Sequence, residues 1–214
     1  RQGYDRFGIS VSISGDYAIV GAREEDDGGG EAGASYIFKR NGTTWSQQQK
    51  ITASDRQQGD YFGNSVSISG DYAIVGAPYE DEGGTSAGAA YIFKRSGTTW
   101  SQQQKITASD KQTQDEFGTS VSISGDYAIV GAYRKNSYIG AAYIYKRNAS
   151  GVWGDEQKIT AGDRQASDNF GISVSLSGDY AIVGARNEDI KGAAYIYKRN
   201  ASTGVWGDEQ KITA

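Results

Sequence analysis

The dipeptide Phe-Gly returns at residues 7–8, 62–63, 117–118 and 170–171, at spacings of 55, 55 and 53 residues. Each time it opens nearly the same stretch: FGISVSISGDYAIVGA, FGNSVSISGDYAIVGA, FGTSVSISGDYAIVGA and FGISVSLSGDYAIVGA. A chain made of near-identical copies must give each copy nearly the same surroundings, which confines it to arrays in which one unit packs on the next.

Within a unit the pattern reads as four strands. Ser10 to Ser14 alternates Val11 and Ile13 with serine, a period of two. Gly15-Asp16 follows between strand-forming residues, the signal of a two-residue hairpin in which glycine supplies a positive φ. Tyr17 to Ala22 is a continuous apolar run, suited to a strand covered on both faces. Ala34 to Lys39 carries Tyr36, Ile37 and Phe38, and a fourth strand runs from about Trp45 to Ala53. Glycine and β-branched residues are dense and no stripe recurs at helical spacing, so helix is excluded as the main element.

The expected fold is therefore all-β: propeller-type blades, four repeats of a four-stranded antiparallel sheet. The whole of 1–214 forms one repeat domain, with blades at about 7–54, 62–109, 117–162 and 170–214. A lone blade cannot cover its two faces, so neighbours must stack. The small serine-rich first strand suits the crowded inner position and the tryptophan-bearing fourth strand the outside.

Composition narrows the chemistry. Histidine and cysteine are absent, which removes the commonest general base and transition-metal ligand, thiol catalysis and any disulfide. The net charge is −4 with no basic stripe, so nucleic acid is not expected as a partner. No run of 18 apolar residues offers a membrane span. The absence of methionine points to a mature piece or a segment of something longer.

The stretch from Phe62-Gly63 to Gly76-Ala77-Pro78 resembles the pattern of FG-GAP repeats, and all four units share it, with Arg23, Tyr133 or Arg186 in place of the proline. The resemblance implies the β-propeller of integrin α chains and of many bacterial surface proteins, an extracellular or cell-surface location and a binding or adhesion role without catalysis. Family members often carry a calcium loop between the first two strands. Here it has shrunk to Ser14-Gly15-Asp16-Tyr17, and one aspartate falls far short of the six to eight oxygens that calcium takes, so neither metal nor cofactor is expected there. Integrin-type propellers have seven blades. Four whole blades with no spare closing strand leave three expectations: a small closed ring, a dimer completing a ring, or open blades stacking head to tail.

Strand alternation puts the constant Gly-Asp hairpins at one end of each blade and the divergent loops at the other. These loops, 23–31, 78–86, 133–138 and 186–191, supply the candidate binding-face residues Arg23, Glu24, Asp26, Tyr79, Asp81, Tyr133, Arg134, Arg186 and Asp189. Tyrosine and arginine are enriched where binding energy concentrates. The acidic runs, from Glu24 to Asp27 and from Glu80 to Glu82, and the pair Glu188-Asp189, read as solvated loops kept soluble by charge rather than as cation sites. Trp45, Trp100, Trp153 and Trp206 read as blade packing before a sugar platform. Asp16, Asp71, Asp126 and Asp179 read as hairpin residues. Asn41, Asn148 and Asn200 head glycosylation sequons in the connection between third and fourth strands. The ligand expected is a protein or a glycan. The alternatives to an adhesion module are a self-assembling structural protein and a lectin.

Overall fold

The computed structural model describes residues 5–27 and 29–214; residues 1–4 and Gly28 lie outside them. Among the described residues sixteen strands form four separate antiparallel sheets, each in simple meander order. The first holds β1 (Val11–Ser14), β2 (Tyr17–Ala22), β3 (Ala34–Asn41) and β4 (Thr44–Ile51). The second holds β5 (Ser65–Ser69), β6 (Tyr72–Ala77), β7 (Ala89–Ser96) and β8 (Thr99–Ile106). The third holds β9 (Ser120–Ser124), β10 (Tyr127–Ala132), β11 (Ala141–Arg147) and β12 (Trp153–Ile159). The fourth holds β13 (Phe170–Ser177), β14 (Tyr180–Ala185), β15 (Ala193–Arg199) and β16 (Trp206–Ile212). Hairpin registers repeat from blade to blade; Ser14 faces Tyr17 as Ser69 faces Tyr72.

Consecutive blades stack through their first strands, β1 on β5, β5 on β9 and β9 on β13. The alternating serines explain why that strand is inner. Ser10, Ser12 and Ser14 hydroxyls accept the free backbone N–H groups of Val66, Ile68 and Gly70 at 3.0–3.2 Å. Ser65, Ser67 and Ser69 do the same for Val121, Ile123 and Gly125. Each blade thus satisfies the exposed edge of the next, which would otherwise be a template for unwanted pairing.

Three apolar clusters fill the three junctions. In each, a tyrosine that opens a second strand is covered by the next blade. Trp100 stands edge-on to Tyr17 at 5.8 Å and Arg95 lies 4.6 Å over the same ring. Trp153 and Arg147 repeat this on Tyr72, and Trp206 and Arg199 on Tyr127. A glutamine clamps each junction from outside: the Gln49 amide both donates to Trp100 O and accepts from Trp100 N. Gln104 treats Trp153, and Gln157 treats Trp206, in the same way. The tryptophans accordingly serve packing, except that Trp45 in the first blade remains exposed.

The repeated Phe-Gly and Gly-Ala pairs meet at these junctions. A Cβ on Gly21 would lie 2.0 Å from the carbonyl oxygen of Gly63, and one on Gly76 equally close to that of Gly118. Backbones in contact at that distance admit only glycine. Phe62, Phe117 and Phe170 are buried beside these contacts, each between two aromatic rings of its own blade.

The array is open: among the described residues the first blade does not pack on the fourth as consecutive blades pack on each other. Val11 and Ile13 are 68% and 65% exposed, against 5% and 4% for their equivalents Val66 and Ile68. At the other end Tyr180, Ile182 and Ile212 are exposed.

Candidate functional site

The divergent loops and the inter-blade segments converge at one end of the array. On its surface, aromatic rings and guanidinium groups form a strip from the first blade to the third. Arg23 lies 5.6 Å over the Tyr61 ring and donates from Nη1 to Asn64 at 3.0 Å. Tyr61 stands edge-on to Tyr79 at 5.0 Å. Tyr79 feels the charges of Glu116 and Arg134, and burial with Glu116 raises its phenol above the ordinary value. Arg134 pairs with Glu116 at 2.8 Å, donates to the Tyr133 hydroxyl, and lies 5.3 Å over Tyr138. Burial and the Glu31 carboxylate push the Tyr61 phenol up to about 12, so it stays a hydrogen-bond donor at neutral pH.

The backbone that displays this strip is strained. Arg6, Tyr61, Glu116 and Asn169, the residues before each Phe-Gly, all have positive φ. So do Asn136, Ser137 and Tyr138 in succession, forming a left-handed turn. Positive φ is uncommon for non-glycine residues and concentrates where side chains are held for a purpose.

Of the binding-face candidates, the structure brings Arg23, Tyr79, Tyr133 and Arg134 together. Glu24 flanks them, paired with Arg6 and Arg23. Asp26 is exposed beyond them. Asp81 is engaged in its own loop, accepting Ser86 N–H at 2.7 Å. Arg186 and Asp189 are exposed on the fourth blade and stand apart from the strip. Tyr61 and Tyr138 also belong to it: Tyr61 sits in an inter-blade segment, outside the divergent loops, and Tyr138 closes the 133–138 loop without being one of the residues singled out from it. The signal available was aromatic residues adjoining the Phe-Gly pair on one side and closing the third loop on the other.

The solvated reading of the acidic loops needs correction. Glu25, Glu80 and Glu188 are buried, each beneath its loop. The reason is a lysine from the fourth strand of the same blade: Lys50 reaches Glu25 and Asp27 at 2.5 and 2.6 Å. Lys105 reaches Asp55, Glu80 and Glu82 at 2.6–2.9 Å, and Lys211 reaches Asp163 and Glu188 at 2.6 Å. One oxygen each of Asp55, Glu80 and Glu82 lies within 4.8 Å of the others, with the Lys105 ammonium bonded to all three. Burial works against the charge of Lys105, yet bonds to Asp55, Glu82 and Glu80 raise it above the usual lysine value.

The hairpin aspartates do more than turn the chain. Asp16 is bonded by Arg40 of β3, and Asp71, Asp126 and Asp179 by Arg95, Arg147 and Arg199, the last three of which also cover the preceding blade's tyrosine. The sequon residues Asn41, Asn148 and Asn200 are all exposed; Asn148 and Asn200 accept backbone N–H groups in their own turns.

Four sheets stacked through serine-lined inner strands define a protein of β-propeller-type blades. The FG-GAP repeat family model matches residues 1–38, 45–93, 100–145 and 153–197. The chain belongs to the FG-GAP repeat family. No helix among the described residues is long and apolar enough to cross a membrane.

Proposed function

We propose that this chain is a non-enzymatic, extracellular binding module that engages a protein ligand through the strip formed by Arg23, Tyr61, Tyr79, Tyr133, Arg134 and Tyr138. The observation that carries this reading is the display, at one end of the array, of two ring–guanidinium groups, Arg23–Tyr61–Tyr79 and Tyr133–Arg134–Tyr138. Large amphipathic side chains pre-ordered by one another lose little conformational entropy on binding. The test is retention of the immobilised chain on an array of extracellular-matrix proteins and glycans. Tyr79→Ala with Tyr133→Ala is expected to reduce retention on a protein target at least tenfold, since hot-spot truncations cost about 2 kcal/mol or more. Undiminished retention would refute the strip as the site. Capture by glycans alone would put a lectin in its place.

A second reading has its own support. We infer that copies of the chain associate head to tail, because the two open ends are the unfilled halves of the interface used three times inside. Trp45 and Arg40 lack the preceding blade's tyrosine among the described residues, and Tyr180 lacks its tryptophan and arginine. Light scattering is expected to give a mass above the 22.9 kDa of one chain. Val11→Asp with Ile13→Asp should return it to that of the monomer, without unfolding, because both side chains are already exposed. A wild-type monomer at high micromolar concentration would reject the inference.

A further inference from the structure

One buried position distinguishes the four blades. Three residues beyond the last alanine of the second strand stand Glu25, Glu80, Lys135 and Glu188, each nine-tenths or more buried. Their backbones are equivalent: the carbonyl of each accepts the N–H of Gly33, Gly88, Gly140 or Gly192. Opposite the last three lies a buried aspartate of the preceding inter-blade segment, Asp60, Asp115 or Asp168. Each of these is fixed by accepting a backbone N–H, from Gln57, Gln112 or Gln165.

In the third blade the pairing is complete. The Lys135 ammonium bonds the Asp115 carboxylate at 2.7 Å and also the backbone carbonyl of Asp110. In the first blade Glu25 Oε2 has no hydrogen-bond donor, but the Arg56 guanidinium lies 3.6 Å from it and supplies a compensating charge. The second and fourth blades have neither. Lys105 and Lys211 bond only Oε1 of Glu80 and Glu188, and both Oε2 atoms are buried with no donor. A buried carboxylate oxygen without a partner is strongly unfavourable. The facing aspartates aggravate it. Burial, then the charges of Glu80 and Asp55, push Asp60 up to about 6. Burial raises Glu188, Lys211 opposes this, and contact with the Asp168 carboxyl raises it further.

We propose that the second and fourth blades each bind one hard divalent cation, between Asp60 and Glu80 and between Asp168 and Glu188, where the third blade places the Lys135 ammonium. The protein donors at these points are carboxylate oxygens, which select calcium-like ions, with water filling the remaining coordination positions. The charge fits as well. Exchanging glutamate for lysine at one position adds two positive units, the charge that a divalent cation brings. These sites are distinct from the β1–β2 turn, whose Asp16 and Asp71 carboxylates are engaged by arginine.

Calorimetric titration of the full chain with calcium is expected to show two saturable sites, with dissociation constants around the 10⁻⁴–10⁻³ M typical of extracellular calcium modules. Glu80→Gln and Glu188→Gln should each remove one site, and together both. Lys135→Glu should raise the count to three. Glu80→Lys with Glu188→Lys copies the third blade, so it should keep the fold and abolish the calcium-induced rise in Tm. Two sites surviving the double glutamine variant would place calcium on exposed carboxylates and overturn the proposal. So would the absence of saturable uptake at concentrations about tenfold above that range.

Discussion

Phe117→Ala is expected to lower stability by about 3–5 kcal/mol, while Phe7→Ala, the same change at the same place in the repeat, should cost less than about 1 kcal/mol. Phe117 is fully buried at the junction of the second and third blades, edge-on to Tyr143 and Tyr145. Phe7 meets Tyr36 and Phe38 in the same manner yet is 43% exposed, since its face of the first blade is an open end among the described residues. Urea unfolding would measure both midpoints. Equal losses would mean that the face of the first blade is covered in solution. A loss for Phe7→Ala that grows with protein concentration would assign the cover to a second copy.

Gly76→Ala should be among the most damaging single substitutions that add only one carbon. Its Cβ would sit 2.0 Å from the Gly118 carbonyl oxygen and 2.9 Å from the carbonyl carbon. Both belong to backbone that is held by the Gly118 N–H bond to Gly131 O, so neither retreats without parting two blades. The expected cost is about 3 kcal/mol or more, at the upper end of overpacking in a close-packed interior. Gly184 holds the equivalent position in the fourth blade. There the nearest obstacle is the Ser173 hydroxyl, which rotates aside, so Gly184→Ala should cost below about 1 kcal/mol. Thermal melts of the two variants test the contrast. A mild Gly76→Ala would mean that the blades slide apart more easily than their shared clusters imply.

Much of the architecture was legible because it depends on local chemistry repeated four times. Alternating serine and aliphatic residues, Gly-Asp turns and a buried YAIVGA run locate strands without reference to anything distant. The serine pattern even carried the inner placement, although its physical reason, capping the next blade's N–H groups, emerges only from the stacked sheets. The buried carboxylates were not legible in the same way. Glu25 sits in a run of four acids, and charge runs ordinarily face solvent. Its partner Lys50 lies 25 residues onward on β4, while the aspartate facing Glu80 comes from the preceding inter-blade segment. The column Glu, Glu, Lys, Glu held the hint, since a reversal of charge at a repeated position implies a change of partner. Tyr61 is hidden for a related reason: it joins the strip from an inter-blade segment, and sequence reading groups residues by connection.

The serine bonds run one way, each blade's hydroxyls serving its successor. Such an interface keeps no count. An in-frame duplication of one unit arrives with its front already matched to any back and its back to any front, so the array lengthens by copying and needs no new complementary surface. Selection can then act on the divergent loops of the added unit while its packing is inherited whole.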